Sequence, residues 1–344
     1  MVRRVLIALG GNAIKQAQEA GTTQEQMRNC VTTAETVVNL MGTLGEDDRV
    51  SITHGNGPQA GNLMVQQEEG SKLVPAQDLD IVGAMTQGQI GYMLSQSIQN
   101  TLLACKDWRR EMAEKGRVFE ITNQVLVDAN DPDFQDPTKP VGNFFSKEEV
   151  EALVRDKGYV VDPPPGKAHL EKKMSGFVIK KVKPSGERPF RRVVPSPDPI
   201  KNIEGDALKA MVDLGFLVIG SGGGGIPVIK DTNGMLKGVF AVIDKDLAGE
   251  RMAEAIHATE FCILTDIDKV KLNFGKPNEK NLDSISVDEA KKYLEQGQFL
   301  PGSMLPKVKA CVRFLEQGGE KARIGHLAKA NEIVSGRGGT EIHK

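Results

Sequence analysis

The sequence has 344 residues, and its 44 lysines and arginines against 46 aspartates and glutamates leave a net charge of -2. This length is enough for one large or two modest domains with a substantial core. The balanced charge excludes a general attraction to nucleic acid or anionic lipid, so any bound anion is expected at a local site. We therefore expect neither nucleic acid nor a membrane among the partners.

Apolar runs and cysteines indicate a soluble, cytoplasmic protein. No apolar run approaches the roughly 20 residues of a membrane-spanning helix, and residues 1–4 lead into a strand pattern rather than a signal peptide. Cys30, Cys105, Cys262 and Cys311 lie far apart and form no CxxC pair. They predict reduced thiols rather than a zinc site or a disulfide framework.

The first predicted strand ends at a pair of glycines. Residues 5–9 (Val-Leu-Ile-Ala-Leu) are typical of a buried parallel strand, and Gly10 and Gly11 follow directly. Residues 13–17 favour a helical turn after them. Backbone N–H groups at such a joint can approach an anion closely, and a helix N-terminus adds its positive dipole end. The joint is either a phosphate or carboxylate cradle or a tight turn without a ligand.

A second strand-to-helix joint follows an amphipathic helix. Apolar residues recur at helical spacing over residues 27–41, and residues 50–53 form a short β-type run. Residues 54–58 (His-Gly-Asn-Gly-Pro) come next, and the proline suits a first helical turn. His54 has no Asp or Cys partner at a fixed offset, so a structural role is favoured over a catalytic one.

The middle of the chain predicts a long helix and then a protruding subdomain. Residues 80–103 carry apolar side chains at helical spacing, and residues 119–127 are typical of a strand. Prolines then cluster between residues 137 and 199, and proline is excluded from helix interiors and central strands. Two β-type runs flank residues 184–186 (Pro-Ser-Gly), which predicts a hairpin with a basic surface.

A glycine run at residues 220–225 raises the possibility of a dinucleotide site. Gly220, Gly222 and Gly225 satisfy GxGxxG after a strand, and Asp244 lies at about the distance of a ribose partner. However, residues 226–229, an Asn-Gly turn and residues 239–243 predict strand, turn and strand, whereas that fingerprint must open a helix. No GxxxxGK[ST] phosphate loop is present either.

Two later strand ends carry polar residues. One predicted strand ends at Lys245 between Asp244 and Asp246, and another ends at Thr265 and Asp266. Ligands of an open α/β sheet bind beyond the carboxyl ends of its strands, so these residues are expected to converge with the glycine joints. The lysine is either paired and structural or a catalytic point charge.

A further lysine falls at the start of the last long predicted helix. Lys307 precedes the helical pattern of residues 308–316. A cation in a first turn opposes the helix dipole. A bound anion would compensate for that position.

These segments together resemble the carbamate kinases of the amino-acid kinase family over nearly the whole chain. The matching motifs are residues 8–13 (Ala-Leu-Gly-Gly-Asn-Ala), 54–59 (His-Gly-Asn-Gly-Pro-Gln), 84–88 (Ala-Met-Thr-Gln-Gly), 136–140 (Asp-Pro-Thr-Lys-Pro), 194–197 (Val-Pro-Ser-Pro), 222–227 (Gly-Gly-Gly-Gly-Ile-Pro), 242–246 (Val-Ile-Asp-Lys-Asp) and 301–307 (Pro-Gly-Ser-Met-Leu-Pro-Lys). The segment before Arg192 differs from the Gly-Arg-Gly-Trp-Arg that is usual in the family.

The resemblance implies a fold, an activity and an assembly. The fold is a three-layer α/β/α sandwich with a mainly parallel central sheet and a protruding subdomain. Residues 1–225 would form an acceptor lobe, with a lid at about residues 131–192, and residues 226–344 a nucleotide-binding lobe. The activity is reversible phosphoryl transfer between ATP and carbamate, run toward ATP in arginine breakdown by a homodimer.

Roles for individual residues also follow from the resemblance. The acceptor and the transferring phosphoryl group would be held by Gly10, Gly11, Asn12, Gly55, Asn56 and Gly57. The catalytic residues would be Lys245, Lys307, Asp246 and Lys139. Lys245 and Lys307 would neutralise the phosphates, Asp246 would orient these two lysines, and Lys139 would reach the site from the lid. The nucleotide would lie among Gly222, Gly223, Gly224, Asp244, Thr265, Asp266, Phe274, Lys276 and Met304. Mg²⁺ would accompany ATP or ADP, held mainly by the phosphates and not by a protein metal site.

Phosphoryl transfer is consistent with these residue types, because it needs positioning and charge neutralisation rather than a nucleophilic Ser or Cys. A kinase for another carboxylate, such as an amino acid, is the alternative within the same class. Two alternatives belong to other classes of protein. The glycine run is the evidence for a nicotinamide-dependent oxidoreductase, and the basic hairpin is the evidence for an inactive scaffold that binds anions.

Overall fold

The computed structural model describes residues 2–15, 18–163, 177–183 and 186–344. Within them the helices are α1 Thr23–Met41, α2 Gly57–Gly70, α3 Leu79–Leu103, α4 Trp108–Glu114, α5 Lys147–Lys157, α6 Gly205–Asp213, α7 Lys245–Ala255, α8 Val287–Glu295, α9 Met304–Glu316 and α10 Ala330–Val334. None of these helices is both long enough and apolar enough to cross a membrane.

The strands of the same residues form several sheets. They are β1 Arg4–Leu9, β2 Arg49–His54, β3 Val118–Glu120, β4 Gln124–Val127, β5 Lys139–Phe145, β6 Val160–Val161, β7 Val178–Lys181, β8 Phe190–Val194, β9 Pro199–Asn202, β10 Leu217–Ile219, β11 Ile226–Lys230, β12 Leu236–Gly238, β13 Glu260–Thr265, β14 Lys271–Leu272, β15 Lys280–Asn281, β16 Ser284–Ser286, β17 Lys321–His326 and β18 Thr340–His343. The largest sheet has the order β16-β18-β17-β13-β1-β2-β10-β3.

Alternation along β1 shows why this sheet is covered on both faces. Val5, Ile7 and Leu9 pack into a core cluster with α1, α3 and α10. Leu6 and Ala8 point the other way, into a cluster with α6, α7, α8 and α9. The pairs from β3 to β17 are parallel, and only β18 runs antiparallel to its neighbour β17. The predicted α/β/α sandwich with a mainly parallel sheet is therefore confirmed.

The region after the first glycine joint differs from its prediction. A single 3-10 turn at Gly11–Ala13 replaces the helical turn predicted over residues 13–17, of which residues 16 and 17 lie outside the described part. The first α-helix starts only at Thr23, where Thr22 and Glu25 form a capping box. Among the described residues, the 3-10 turn is therefore the helical element that begins at this joint, and α1 begins only ten residues after it.

Residues 239–243 form no strand, contrary to the prediction, because the chain bends at Phe240 and the Ala241 amide donates to the Val239 carbonyl at 3.0 Å. The antiparallel partner of β11 is β12, which ends at Gly238, directly before this segment. Val239, Ala241 and Ile243 pack into one cluster with β4, while Phe240 and Val242 pack toward the lid side. Burial on both sides produced the strand-like pattern without sheet pairing.

The helix after this segment begins at Lys245, so the lysine is a first-turn residue and not a strand end. Asp244 caps the helix, because its side chain accepts a hydrogen bond from the Asp246 amide. The run of residues 119–127 also divides, since β3 joins the large sheet and β4 joins a second sheet, β12-β11-β4-β9.

A separate four-stranded sheet, β5-β8-β7-β6, lies within the proline-rich region and carries α5. The predicted hairpin is present as the antiparallel pair of β7 and β8. Its turn residues 184 and 185, and residues 164–176 of the unusual segment, lie outside the described residues. Val141, Ile179 and Val194 of this sheet pack against Met64 of α2 and Leu79 of α3.

Candidate active site

Three charged side chains form a buried group beside the carboxyl ends of the central strands. Lys245 Nζ lies 2.5 Å from Asp246 Oδ1, and Lys307 Nζ lies 2.7 Å from Asp246 Oδ2. Only 2% of the Asp246 side chain is exposed, against 14% for Lys245 and 13% for Lys307. We call Lys245, Asp246 and Lys307 the charged cluster. One carboxylate thus holds two ammonium groups from two different helices.

Burial and pairing act on each member of the charged cluster. Burial raises the pKa of Asp246, but Lys245 and Lys307 outweigh it and hold that pKa far below its ordinary value. Burial lowers the pKa of Lys245, opposed by Asp246 and reinforced by Lys307. For Lys307, burial is outweighed by Asp246, Asp244 and Asp266, which raise its pKa. The cluster carries one more positive than negative charge and suits an anion.

The glycine joints reach this cluster directly. A Cβ on Gly55 would lie 3.0 Å from Lys245 Cδ and 3.6 Å from the Gly11 amide nitrogen. A Cβ on Gly11 or on Gly57 would meet nothing within 4 Å. The Gly10 amide donates to Leu264 O at 2.8 Å and the Gly55 amide to Leu9 O at 3.2 Å, so these two amides hold the sheet edge.

Asn12 and Gly57 complete the residues predicted around the acceptor. Asn12 lies in the 3-10 turn beside Gly11, and its side chain is outside the description. Gly57 is the first residue of α2, whose N-terminus therefore opens on the same side as the Gly55 joint. The structure thus brings Gly11, Gly55 and the start of α2 next to Lys245.

The lid contributes one lysine to the site across a long sequence separation. Lys139, at the start of β5, places Nζ 3.0 Å from Asp244 Oδ2. The other oxygen of Asp244 caps α7. Asp244 therefore links the lid to the helix that carries Lys245, rather than standing alone at the ribose position predicted from the glycine run.

The glycine run packs its backbone against the second strand-to-helix joint, residues 54–57, which we call the acceptor joint. The Cβ that each glycine lacks would lie 2.4 Å from His54 Nε2 at Gly222 and 2.3 Å from Asn56 Nδ2 at Gly223. β11 follows the run, so it does not open a helix as a dinucleotide fingerprint requires. Gly222 and Gly223, which were predicted to lie around the nucleotide, thus pack against residues predicted around the acceptor.

Two side chains near the acceptor joint were missed or undervalued by sequence reasoning. Thr86 of α3 accepts a hydrogen bond from Asn56 Nδ2 at 2.8 Å, and only its place in residues 84–88 signalled it. His54 is 1% exposed, and burial lowers its pKa to about 4, with Lys245 acting in the same direction. The favoured structural reading of His54 agrees with a neutral, buried ring.

A cavity of about 260 Å³ opens at the start of α9, the helix that carries Lys307, and we call it the apolar cavity. Phe274 and Met304 of the predicted nucleotide residues line it. Thr265, Asp266 and Lys276 do not, although Asp266 acts electrostatically on Lys307. Sequence reasoning missed the other apolar lining residues, which are Ile267, Phe299 and Leu300.

Residues 3–326 match the amino acid kinase family. The chain belongs to that family. A carbamate kinase of Thermococcus kodakarensis is 46% identical over 343 residues, which cover 99% of each chain. A carbamate kinase of Clostridium perfringens is 42% identical, over 99% of this chain and 100% of its own. Within the family, the chain therefore lies among the carbamate kinases and is a phosphotransferase, as the motifs indicated.

Solved structures of family members agree with this placement. The carbamate kinase of Giardia lamblia bound to AMP-PNP superposes with a TM-score of 0.82 at 33% identity, over 100% of this chain and 99% of that one. The relative therefore shares the overall fold of this chain.

Proposed function

We propose that the protein transfers a phosphoryl group reversibly between ATP and carbamate, giving ADP and carbamoyl phosphate. The charged cluster beside the two glycine joints is the observation that carries this proposal. Two ammonium groups on one buried carboxylate neutralise phosphate oxygens without a nucleophilic side chain. The named activity of the relatives supports carbamate as the acceptor.

In the ATP-forming direction, a β-phosphate oxygen of ADP attacks the phosphorus of carbamoyl phosphate, and the bond from phosphorus to the carbamate oxygen breaks. We assign Lys245 and Lys307 to the negative charge that develops on the transferring group. Asp246 fixes both ammonium groups, so they need no reorganisation during the reaction. The Gly11 amide and the start of α2 face the acceptor side.

Lys139 would exchange partners during the cycle. It is paired with Asp244 here, and its Nζ is close enough to α7 to reach a phosphoryl group bound beside Lys245. A phosphoryl group carries more charge than one carboxylate and would attract the ammonium from Asp244. The lid would then close on a bound substrate and open when it leaves.

The nucleotide is assigned to the apolar cavity and its rim. Phe274 and Met304 would contact the base, while Asp266, Thr265 and Lys276 would lie toward the ribose and phosphates. We expect Mg²⁺ to enter with the nucleotide and to be held mainly by phosphate oxygens, because the carboxylates of Asp244 and Asp246 are already paired with lysines. Mg²⁺ would supply charge neutralisation on those oxygens.

This assignment supports a division into two lobes. Residues 1–225 would hold the acceptor, with the lid at about residues 131–192, and residues 226–344 would hold the nucleotide. The glycine joints precede residue 225 and the apolar cavity follows it, as this division requires. Gly222–Gly224 would form the boundary between the lobes.

We also propose a cytoplasmic homodimer that forms ATP during arginine breakdown and binds no nucleic acid. In support of the dimer, α3 exposes Ile81, Met85, Tyr92 and Leu103, and β3 is an edge strand of the large sheet. Sedimentation of the purified protein tests this assembly, since a monomer at micromolar concentration would contradict it.

A coupled assay tests the activity. Purified protein with Mg²⁺, ADP and carbamoyl phosphate is expected to form ATP at a rate proportional to enzyme, and Lys245→Ala protein serves as the matched blank. Acetyl phosphate and glutamyl phosphate probe other carboxylates, and NAD with a hydroxy acid probes oxidoreductase activity. ATP formed only from another acyl phosphate, or no ATP at all, would contradict the proposal.

A further inference from the structure

A strained residue, Ser221, lies within the glycine run, directly before Gly222. Ser221 has φ +50° and ψ +31° and no exposed surface. An L-residue in this left-handed region is strained, because its Cβ lies too close to the backbone, and such a conformation persists only where its surroundings hold it. The question is therefore what holds Ser221.

Asn123 supplies the main restraint. Its Oδ1 accepts a hydrogen bond from the Ser221 amide at 2.6 Å, and its Nδ2 donates to Asn202 Oδ1 at 2.7 Å. The Ser221 hydroxyl donates to the same Asn202 oxygen at 2.7 Å. Asn123 itself has no exposed surface. The three side chains form a closed, buried ring of hydrogen bonds.

Neighbouring elements fix this ring in place. Gln87 of α3 accepts from the Asn123 amide at 3.0 Å and donates to the Asn123 carbonyl at 3.2 Å. The Thr53 hydroxyl, at the end of β2, donates to the Ser221 carbonyl at 3.0 Å. Both backbone groups of Asn123 and both of Ser221 are thus bonded. The break between β3 and β4 places Asn123 where it can do this.

The position of Ser221 decides where the glycine run lies. Directly after it, the backbones of Gly222 and Gly223 touch His54 and Asn56 of the acceptor joint. Gly224 then lies against the Ile243 carbonyl, one residue before the cap of α7. A rotation at Ser221 would therefore move the contact between the acceptor joint and the helix that carries Lys245.

We propose that Asn123 is a positioning residue for phosphoryl transfer, acting through Ser221 on the glycine run. The inference rests on the proposed function for its activity readout. Loss of the Asn123 amide would let Ser221 relax out of the left-handed region and would loosen the alignment of acceptor and charged cluster. Substrate affinity would change little, because the hydrogen bonds of Asn123 go to Gln87, Asn202, Ser221 and Ile226, which are not predicted ligand residues.

A double-mutant cycle tests this, with ATP formation and thermal unfolding measured on the full chain. We expect Asn123→Ala to lower kcat about tenfold to a hundredfold, with KM for ADP and for carbamoyl phosphate within about threefold. Glycine accepts the left-handed conformation without strain. In the Ser221→Gly background, the same Asn123→Ala change should therefore cost at least three times less in kcat and should lower Tm less.

Controls separate positioning from general destabilisation. Leu102→Ala opens a cavity at the far end of α3 and should lower Tm while leaving kcat near wild type. Asn202→Ala removes another ring member and replaces Asn123→Ala if that variant does not fold. Equal losses in the two Ser221 backgrounds, in both kcat and Tm, would overturn the inference. Absence of wild-type turnover would instead overturn the proposed function, and the Tm cycle would still decide the restraint on Ser221.

Discussion

The charged cluster and the apolar cavity differ in how much of each is fixed before a ligand binds. In the cluster, both oxygens of a buried carboxylate are paired with lysines that are themselves mostly buried. At the cavity, the lining residue Phe274 is 61% exposed. Buried charges are costly to assemble, so the cluster is preorganised for developing charge, whereas the cavity walls gain their contacts only from a ligand.

The largest expected effect lies in the charged cluster. Lys245→Ala should lower kcat by roughly two to four orders of magnitude, about 3 to 5 kcal/mol, because a fixed charge next to the transferring group stabilises the transition state more than bound substrate. Steady-state assays of ATP formation measure it. Lys291→Ala is the matched control, because Lys291 pairs with Glu316 at the far end of α9 from Lys307, and its kcat should stay within about threefold of wild type. A larger loss of kcat in the control than in Lys245→Ala would contradict a catalytic role for the charged cluster.

A second prediction concerns buried His54 and the free energy of unfolding at acid pH. The pKa of His54 falls from an ordinary 6.5 to about 4 in the folded protein, so the unfolded chain binds more protons between these values. The contribution of His54 is complete above about pH 6.5 and is lost as pH falls toward 4, by about 3 kcal/mol.

Urea unfolding at pH 5 and pH 7 checks this, with His54→Gln as the reference because carboxylates add their own dependence. Wild type should lose more free energy of unfolding over this interval than the variant does. Identical pH slopes would mean that the His54 ring is not held neutral.

The lid lysine Lys139 should give an intermediate effect, because in the proposed cycle it would join the charged cluster only when substrate binds. Lys139→Ala is expected to lower kcat/KM for carbamoyl phosphate about thirtyfold, roughly 2 kcal/mol, with ADP binding unchanged. Lys180, another lid lysine, pairs with Asp136 away from the cluster, so Lys180→Ala is the control. Equal losses of kcat/KM in the two variants would mean that Lys139 acts only through the general positive charge of the lid.

The smallest effect is expected at the cavity. Phe274→Ala should weaken ADP binding about tenfold, roughly 1.4 kcal/mol, because it removes an aromatic face from the base. Phe274→Leu retains apolar area and should lose less. Titration calorimetry gives the dissociation constants, and unchanged affinity in both variants would place the base elsewhere.

The same contrast explains what the sequence could reveal. Strand ends and glycine joints are local patterns, so Gly10, Gly55 and the aspartates around Lys245 were found from composition and spacing. The helix start at Lys245 was misread as a strand end, because residues 239–243 pack alternately into two core clusters without forming a strand. An aspartate in this position can either follow a strand or cap a helix, and Asp244 caps α7.

Contacts between distant segments could not be predicted from local patterns. The pair of Lys139 and Asp244 joins residues 105 positions apart, and the ring of Asn123 and Ser221 spans 98 positions. The apolar cavity is built from two separate loops that carry no periodic signal. Such contacts depend on how the sheets are stacked, which single elements do not encode.

The most direct test measures chemistry and binding separately in the two regions. Single-turnover rates and ADP dissociation constants would be determined for wild type, Lys245→Ala and Phe274→Ala. We predict that Lys245→Ala loses at least a hundredfold in the single-turnover rate at saturating substrate, while its ADP affinity stays within about threefold of wild type. Phe274→Ala should instead weaken ADP binding and leave the single-turnover rate at saturating substrate nearly unchanged. A chemical step within about tenfold of wild type in Lys245→Ala would contradict a catalytic role for the charged cluster.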